Sequence, residues 1–206
     1  MEEMSKLGDL AVKLEAYRVR IATAMSWVVF GMIFGSLTVL AQSLTLLGLG
    51  WWVTPLLVAV AGLVGGAVHV RFMKFLPVDR EMRRRWRIGT ILLFVPFVVT
   101  YSLLPLLIDV TPLYFMVVWY PSLGLGLVLC GSYAEKAERG GVRVMTYTGL
   151  LILATSSVLI ILFSYQQTAT LVVASGLLCV SMMLLTYLAA SIYVFFTAQR
   201  VISPGG

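Results

Sequence analysis

Residues 88–108 read IGTILLFVPFVVTYSLLPLLI and residues 112–132 read PLYFMVVWYPSLGLGLVLCGS. Neither contains a charged side chain, and each has the length that carries an α-helix across about 30 Å of hydrocarbon. Only Asp109, Val110 and Thr111 separate them, which is enough for a tight turn between antiparallel neighbours. The pair therefore reads as a helical hairpin in a membrane.

Four further apolar runs fit the same reading, at 21–41, 52–70, 144–164 and 170–196. The chain as a whole is 60% hydrophobic and 12% charged, with a mean hydropathy of +0.98. A soluble domain carries about 25% charged residues, so a water-soluble class is excluded. The expected fold is all-α: a polytopic membrane protein of six spans in three antiparallel hairpins. The expected organisation is a cytoplasmic amphipathic helix at 1–20, a transmembrane domain at 21–198 and a tail at 199–206.

The charges orient this layout. All fifteen Lys and Arg residues fall at 6–20, 71–87, 136–143 and 200, which are alternate connections. Under the positive-inside rule these connections and both termini are cytoplasmic in a cell membrane, and Asp109 is the one charge on the outer side. The net charge of +6 then marks orientation and anionic headgroup binding rather than contact with nucleic acid. Trp51, Trp52 and Tyr165 on the outside, and Trp86 and Tyr133 on the inside, sit where interfacial aromatic anchors belong.

Upstream of the first run, Leu7, Leu10, Ala11, Leu14, Tyr17 and Ile21 recur at helical spacing. This predicts an amphipathic helix lying at the inner interface, retained in the protein because no cleavage pattern follows it. The basic segment at 77–87 reads as a short surface helix. Its Arg80, Arg83, Arg84, Arg85 and Arg87 are candidates for docking anionic lipid or a partner subunit.

A weak threefold pattern runs through the chain. Arg20-Ile21-Ala22-Thr23, Arg87-Ile88-Gly89-Thr90 and Arg143-Val144-Met145-Thr146 begin the odd-numbered spans. Thr54, Thr111 and Thr168 stand 57 positions apart at the starts of the even ones. Internal repeats are common in transport folds.

Ionisable groups inside a bilayer are costly and usually mark function. Here His69 is the one candidate, close to Arg71 and the inner headgroups, where a neutral imidazole serves as a hydrogen-bonding group. Cys130 and Cys179 read as buried apolar thiols. Glu135 and Glu138 alternate with Lys136 and Arg139 and read as a solvated helix end. The chain carries no HExxH, GxSxG or Gly-rich phosphate motif, so no catalytic residue, metal or cofactor is expected.

The spans are irregular, however. Pro96 and Pro121 each remove a helical hydrogen bond near mid-bilayer, and around them stand Thr100, Tyr101, Ser102, Trp119, Tyr120 and Ser122. The run Gly124-Leu125-Gly126 reads as flexible. Pro96, Tyr101, Trp119, Tyr120, Pro121 and Ser122 are the candidate substrate-binding set. Gly31 and Gly35, with Gly62, Gly65 and Gly66, let backbones approach in a compact bundle or in a homo-oligomer. The fifth run is rich in hydroxyls, from Thr146 to Ser164, which serve a polar pathway or bond their own helix.

This layout is similar to that of small permease subunits of ABC-type transporters. The likeness implies a transport or permease component for a small, weakly polar solute. The alternative is a non-catalytic accessory or assembly subunit of a larger membrane complex.

Overall fold

The computed structural model describes residues 2–48, 53–73, 80–135, 143–166 and 168–202. It is helical throughout, with no strand among the described residues. In chain order the helices are α1 (Glu2–Leu46), α2 (Val53–Met73), α3 (Arg80–Val98), α4 (Pro112–Val117), α5 (Trp119–Ala134), α6 (Val144–Leu162) and α7 (Ala169–Ile202). Between α3 and α4 lie a π-helical turn, Val99–Leu103, and a 3-10 turn, Leu104–Leu106. Among the described residues, four helices are long and apolar enough to cross a membrane: Leu10–Leu44, Arg84–Leu106, Val144–Leu162 and Ala169–Arg200.

Three elements differ from the sequence reading. The amphipathic segment and the first apolar run form one helix, because no Pro or Gly pair separates them near Arg20. At helical rise α1 is about 67 Å long, and Leu10, Val12 and Leu14 near its start are exposed. The basic residues 80–87 are the opening turns of α3 rather than a separate surface helix. The fourth apolar run, expected as one helix, is interrupted at Val118. Pro121 explains the interruption: it has no N–H for the carbonyl of Val117, and its ring crowds that same carbonyl.

Packing divides the helices into two sets. In the first, α1 lies between α2 and α7. Trp27 meets Tyr187 edge to face with ring centroids 4.9 Å apart. Gly31 and Gly35 lie under Tyr187 and Leu184, where an added Cβ would come within 2.9 Å and 2.6 Å of those side chains. Both glycines of the GxxxG motif thus serve contact within the chain. Gly65 of α2 accommodates Phe30 in the same way. Near the other end, Arg20 Nη1 donates to the Thr197 carbonyl at 2.7 Å, which ties α1 to α7.

In the second set α5 lies between α3 and α6. Gly126 faces the Leu93 carbonyl of α3, and Gly124 faces Gly149 of α6 so closely that each glycine's missing Cβ would strike the other's carbonyl. The run expected to be flexible is therefore a pair of close-packing positions. Contacts of α4 and α6 with α7 join the two sets, around a core that includes Leu113, Tyr120, Ile152 and Met183.

A Cβ at Gly149 would meet the Gly124 carbonyl at 2.6 Å and the Val128 amide at 2.7 Å, and neither backbone atom can move cheaply. Gly149→Ala is expected to destabilise the fold by about 1–3 kcal/mol. Gly66 has nothing within 4 Å of the same added atom, so Gly66→Ala should leave the melting temperature in detergent unchanged or raised. Equal melting of the two variants would contradict this packing.

Candidate functional site at the paired helix breaks

The interruption of the third apolar run begins with Pro96, which is buried in α3 and has no N–H for the Leu92 carbonyl. One turn later the ladder widens, and the Leu104 N–H bonds the carbonyl of Val99, five residues back. The next bond in that pattern would run from residue 105 to the Thr100 carbonyl. Residue 105 is proline, so the Thr100 carbonyl has no helical donor. The Tyr114 hydroxyl supplies one, at 2.7 Å.

Tyr114 is placed for this by its own helix start. Thr111 caps α4: its backbone is extended and its Oγ1 accepts the Tyr114 N–H at 3.4 Å, with Pro112 at the first helical position. A reciprocal bond runs the other way, from the Tyr101 hydroxyl to the Phe115 carbonyl at 3.0 Å. The two tyrosines lock the end of the third run to the start of the fourth.

The breaks also meet through two hydroxyls. Thr100 Oγ1 and Ser122 Oγ are 2.9 Å apart. Thr100 Oγ1 lies 2.9 Å from the Pro96 carbonyl, and Ser122 Oγ lies 2.7 Å from the Val118 carbonyl. Thr100 Oγ1 also lies 3.4 Å from the Phe97 carbonyl, and each hydroxyl has one proton, so the pair has two protons for four contacts. Either Thr100 or Ser122 donates to the other, and the direction can reverse.

The six sequence-predicted residues do not all face this seam. Successive helical positions are about 100° apart, so positions 119 to 122 point in different directions. Trp119 turns towards Phe34 of α1, with centroids 6.4 Å apart. Tyr120 is fully buried, its hydroxyl 2.7 Å from Thr155 Oγ1 of α6 and 3.5 Å from Thr186 Oγ1 of α7. Ser122 alone of these turns to Thr100. Pro96, Tyr101 and Ser122 thus gather at one seam, Trp119 and Tyr120 sit in the interior, and Pro121 acts through the backbone.

Several hydroxyls of α6 are bonded within their own helix. Thr148, Thr155 and Ser156 each donate to the carbonyl four residues earlier, at 2.6, 2.9 and 2.7 Å. Of the candidate docking arginines, Arg80, Arg84 and Arg87 are exposed at the start of α3, and Arg85 pairs with Glu81 at 2.8 Å. The side chains of Arg83 and His69 lie outside the described residues, as do residues 77–79 of the basic segment.

Two functional groups were not found from sequence. Tyr114 is the first. The second is Glu135, which is 6% exposed rather than solvated. Its Oε1 accepts the Met145 N–H at 2.7 Å, and its Oε2 accepts the Thr146 N–H at 3.2 Å and the Thr146 hydroxyl at 3.0 Å. The residue before α6 is Arg143, whose side chain provides no cap. A carboxylate from the end of α5 therefore does the work of an N-cap, where the helix dipole also favours negative charge. The signal available in sequence was a helix start without Ser, Thr, Asp or Asn before it, close to an acidic residue.

Tyr114→Phe removes the sole hydroxyl donor at the Thr100 carbonyl. The expected cost is about 1 kcal/mol, in the range measured for polar pairs in membrane bundles, read as a lower unfolding midpoint in detergent. Glu135→Ala uncaps α6 and should cost about 1–2 kcal/mol, with Glu135→Gln between it and the parent chain. A parent-like midpoint for Glu135→Ala would refute the cap. No protein-family model matches the chain, and neither a curated protein nor a solved structure matches it.

Proposed function

We propose that the chain is an integral protein of the cell membrane with six spans in three hairpins and both termini cytoplasmic. It acts as a transport or permease component for a small, weakly polar solute. Helix lengths support the six spans: α2 reaches about 31 Å at helical rise, and the path from Pro112 to Ala134 about 34 Å. The alternation of basic and uncharged connections supports the orientation.

One observation carries the functional reading. Two neighbouring apolar helices break at facing positions, and hydroxyls and carbonyls converge there through Thr100, Ser122, Tyr101 and Tyr114. Non-helical backbone at membrane depth is tolerated where it is buried in protein or lines a pathway, and transport sites are commonly built from such discontinuous helices. The groups at this seam hold a neutral donor or acceptor, which favours a small polyol or amide over an ion.

A second reading, a non-catalytic accessory or assembly subunit, is favoured by the first turns of α1. There Leu10, Val12 and Leu14 are exposed on a helix longer than a bilayer is thick. The exposed Arg80, Arg84 and Arg87 would serve lipid headgroups or a partner in either case.

Proteoliposomes separate the two. Under the transport reading, the purified chain accelerates glycerol or urea entry followed by stopped-flow light scattering. Pro121→Ala, which restores the missing N–H beside Val118, changes that rate several-fold. A chain inert towards both solutes, whose Pro121→Ala variant alters only the recovery of co-purifying subunits, would replace transport with the accessory role.

A further inference from the structure

A groove of about 150 Å³ runs between α6 and α7, open on one side and walled by Val144, Tyr147 and Leu151 of α6 and by Ala189, Ala190 and Tyr193 of α7. We propose that it holds the glycerol-proximal part of one acyl chain of an anionic phospholipid, whose headgroup rests on Arg143 and Arg200.

The chemistry of the walls selects the tail. Of the hydroxyls in the lining, that of Thr148 is already given to the Val144 carbonyl at 2.6 Å, and the other two are the phenols of Tyr147 and Tyr193 at the border. A groove this small takes only a stretch of a hydrocarbon chain, and its walls present mostly apolar surface. The groove exists because Ala189 and Ala190 stand where larger side chains would close the seam. Left empty, such a seam forfeits dispersion contacts that a hydrocarbon chain restores.

The position of the groove selects the headgroup. Val144 is the first residue of α6, so the groove opens at that helix end and reaches about 10 Å along it to Leu151. Arg143 immediately precedes Val144 and is exposed. Arg200, also exposed, follows Tyr193 by seven residues, two turns on along the same helical face. Tyr147 and Tyr193, 54% and 48% exposed, meet edge to face with centroids 6.4 Å apart and border the groove with their amphipathic rings. Apolar slot, aromatic border and flanking cations follow one another in the order of a phospholipid's own tail, glycerol and phosphate.

Placing this site in the cytoplasmic leaflet rests on the topology proposed above. The site itself does not, since the groove and its two arginines lie at one end whichever way the bundle faces.

The test uses the full chain in detergent, stripped of native lipid and mixed with equal amounts of phosphatidylglycerol and phosphatidylcholine. Native mass spectrometry should show one phosphatidylglycerol retained per chain. Each arginine contributes about fivefold in affinity and the pair about thirtyfold, so the Arg143→Gln, Arg200→Gln double variant should lose most of the preference. A phosphatidylglycerol bearing a diazirine in its acyl chain should crosslink to Tyr147 or Tyr193. Ala189→Phe, at an exposed position that tolerates bulk, should abolish that crosslink without lowering the melting temperature. Equal retention of the two lipids by the parent chain would overturn the proposal, as would crosslinking that Ala189→Phe leaves unchanged. Labelling of an Asp109→Cys variant from outside the cell tests the topology separately.

Discussion

Hydrocarbon offers no water to a backbone amide, so every N–H or C=O that leaves a helical ladder inside a bilayer needs a partner from the protein. That constraint organises the centre of this molecule. Pro96, Pro105 and Pro121 each remove a donor, and the carbonyls nearby are met by side chains that have little else to do. The Tyr114 hydroxyl reaches the Thr100 carbonyl, and Tyr101 reaches Phe115. The same logic operates at helix ends. Thr111 caps α4, Thr168 Oγ1 accepts the Leu171 N–H at the start of α7, and Glu135 caps α6 from a different helix.

Satisfying the backbone leaves the problem of holding helices together, which in lipid has no hydrophobic driving force. Close approach supplies it through dispersion. The glycines do this pairwise: Gly31 and Gly35 admit α7, Gly126 admits α3, and Gly124 with Gly149 brings α5 and α6 into backbone contact. One consequence is that α5, the helix carrying Tyr120 and Ser122, is held on two sides by close contacts.

The helical class, the membrane solvent and the two irregular helices were legible in the sequence because composition and proline act locally. Residues whose role depends on a neighbour in space were not. Tyr114 looks like any aromatic near an interface until residue 105 is seen to fall where the widened ladder needs a donor. Glu135 looks solvated because Lys136 and Arg139 flank it in sequence, yet its carboxylate turns towards α6. Hydrophobic periodicity could not distinguish one long α1 from two helices, since no breaker stands between the amphipathic and apolar parts. The threefold pattern is also clarified. Thr111 and Thr168 both cap helices, while Arg20 bonds the Thr197 carbonyl from inside α1 and Arg143 stands just before α6. Thr111 and Thr168 therefore share a helix-start chemistry, whereas Arg20 and Arg143 have no shared local role.

The two kinds of contact at the breaks differ in their proton count. A repaired break needs one donor for each orphaned carbonyl, as Tyr114 and Tyr101 provide, and such bonds have one arrangement only. Thr100 and Ser122 differ: their two protons are shared among the Pro96, Phe97 and Val118 carbonyls and each other, so the donor direction can invert without moving a heavy atom. The Val118 carbonyl also accepts the Ser122 N–H at 3.1 Å, so reversing the hydroxyl pair does not leave it without a donor. Hydroxyls give the seam this freedom of direction without adding charge.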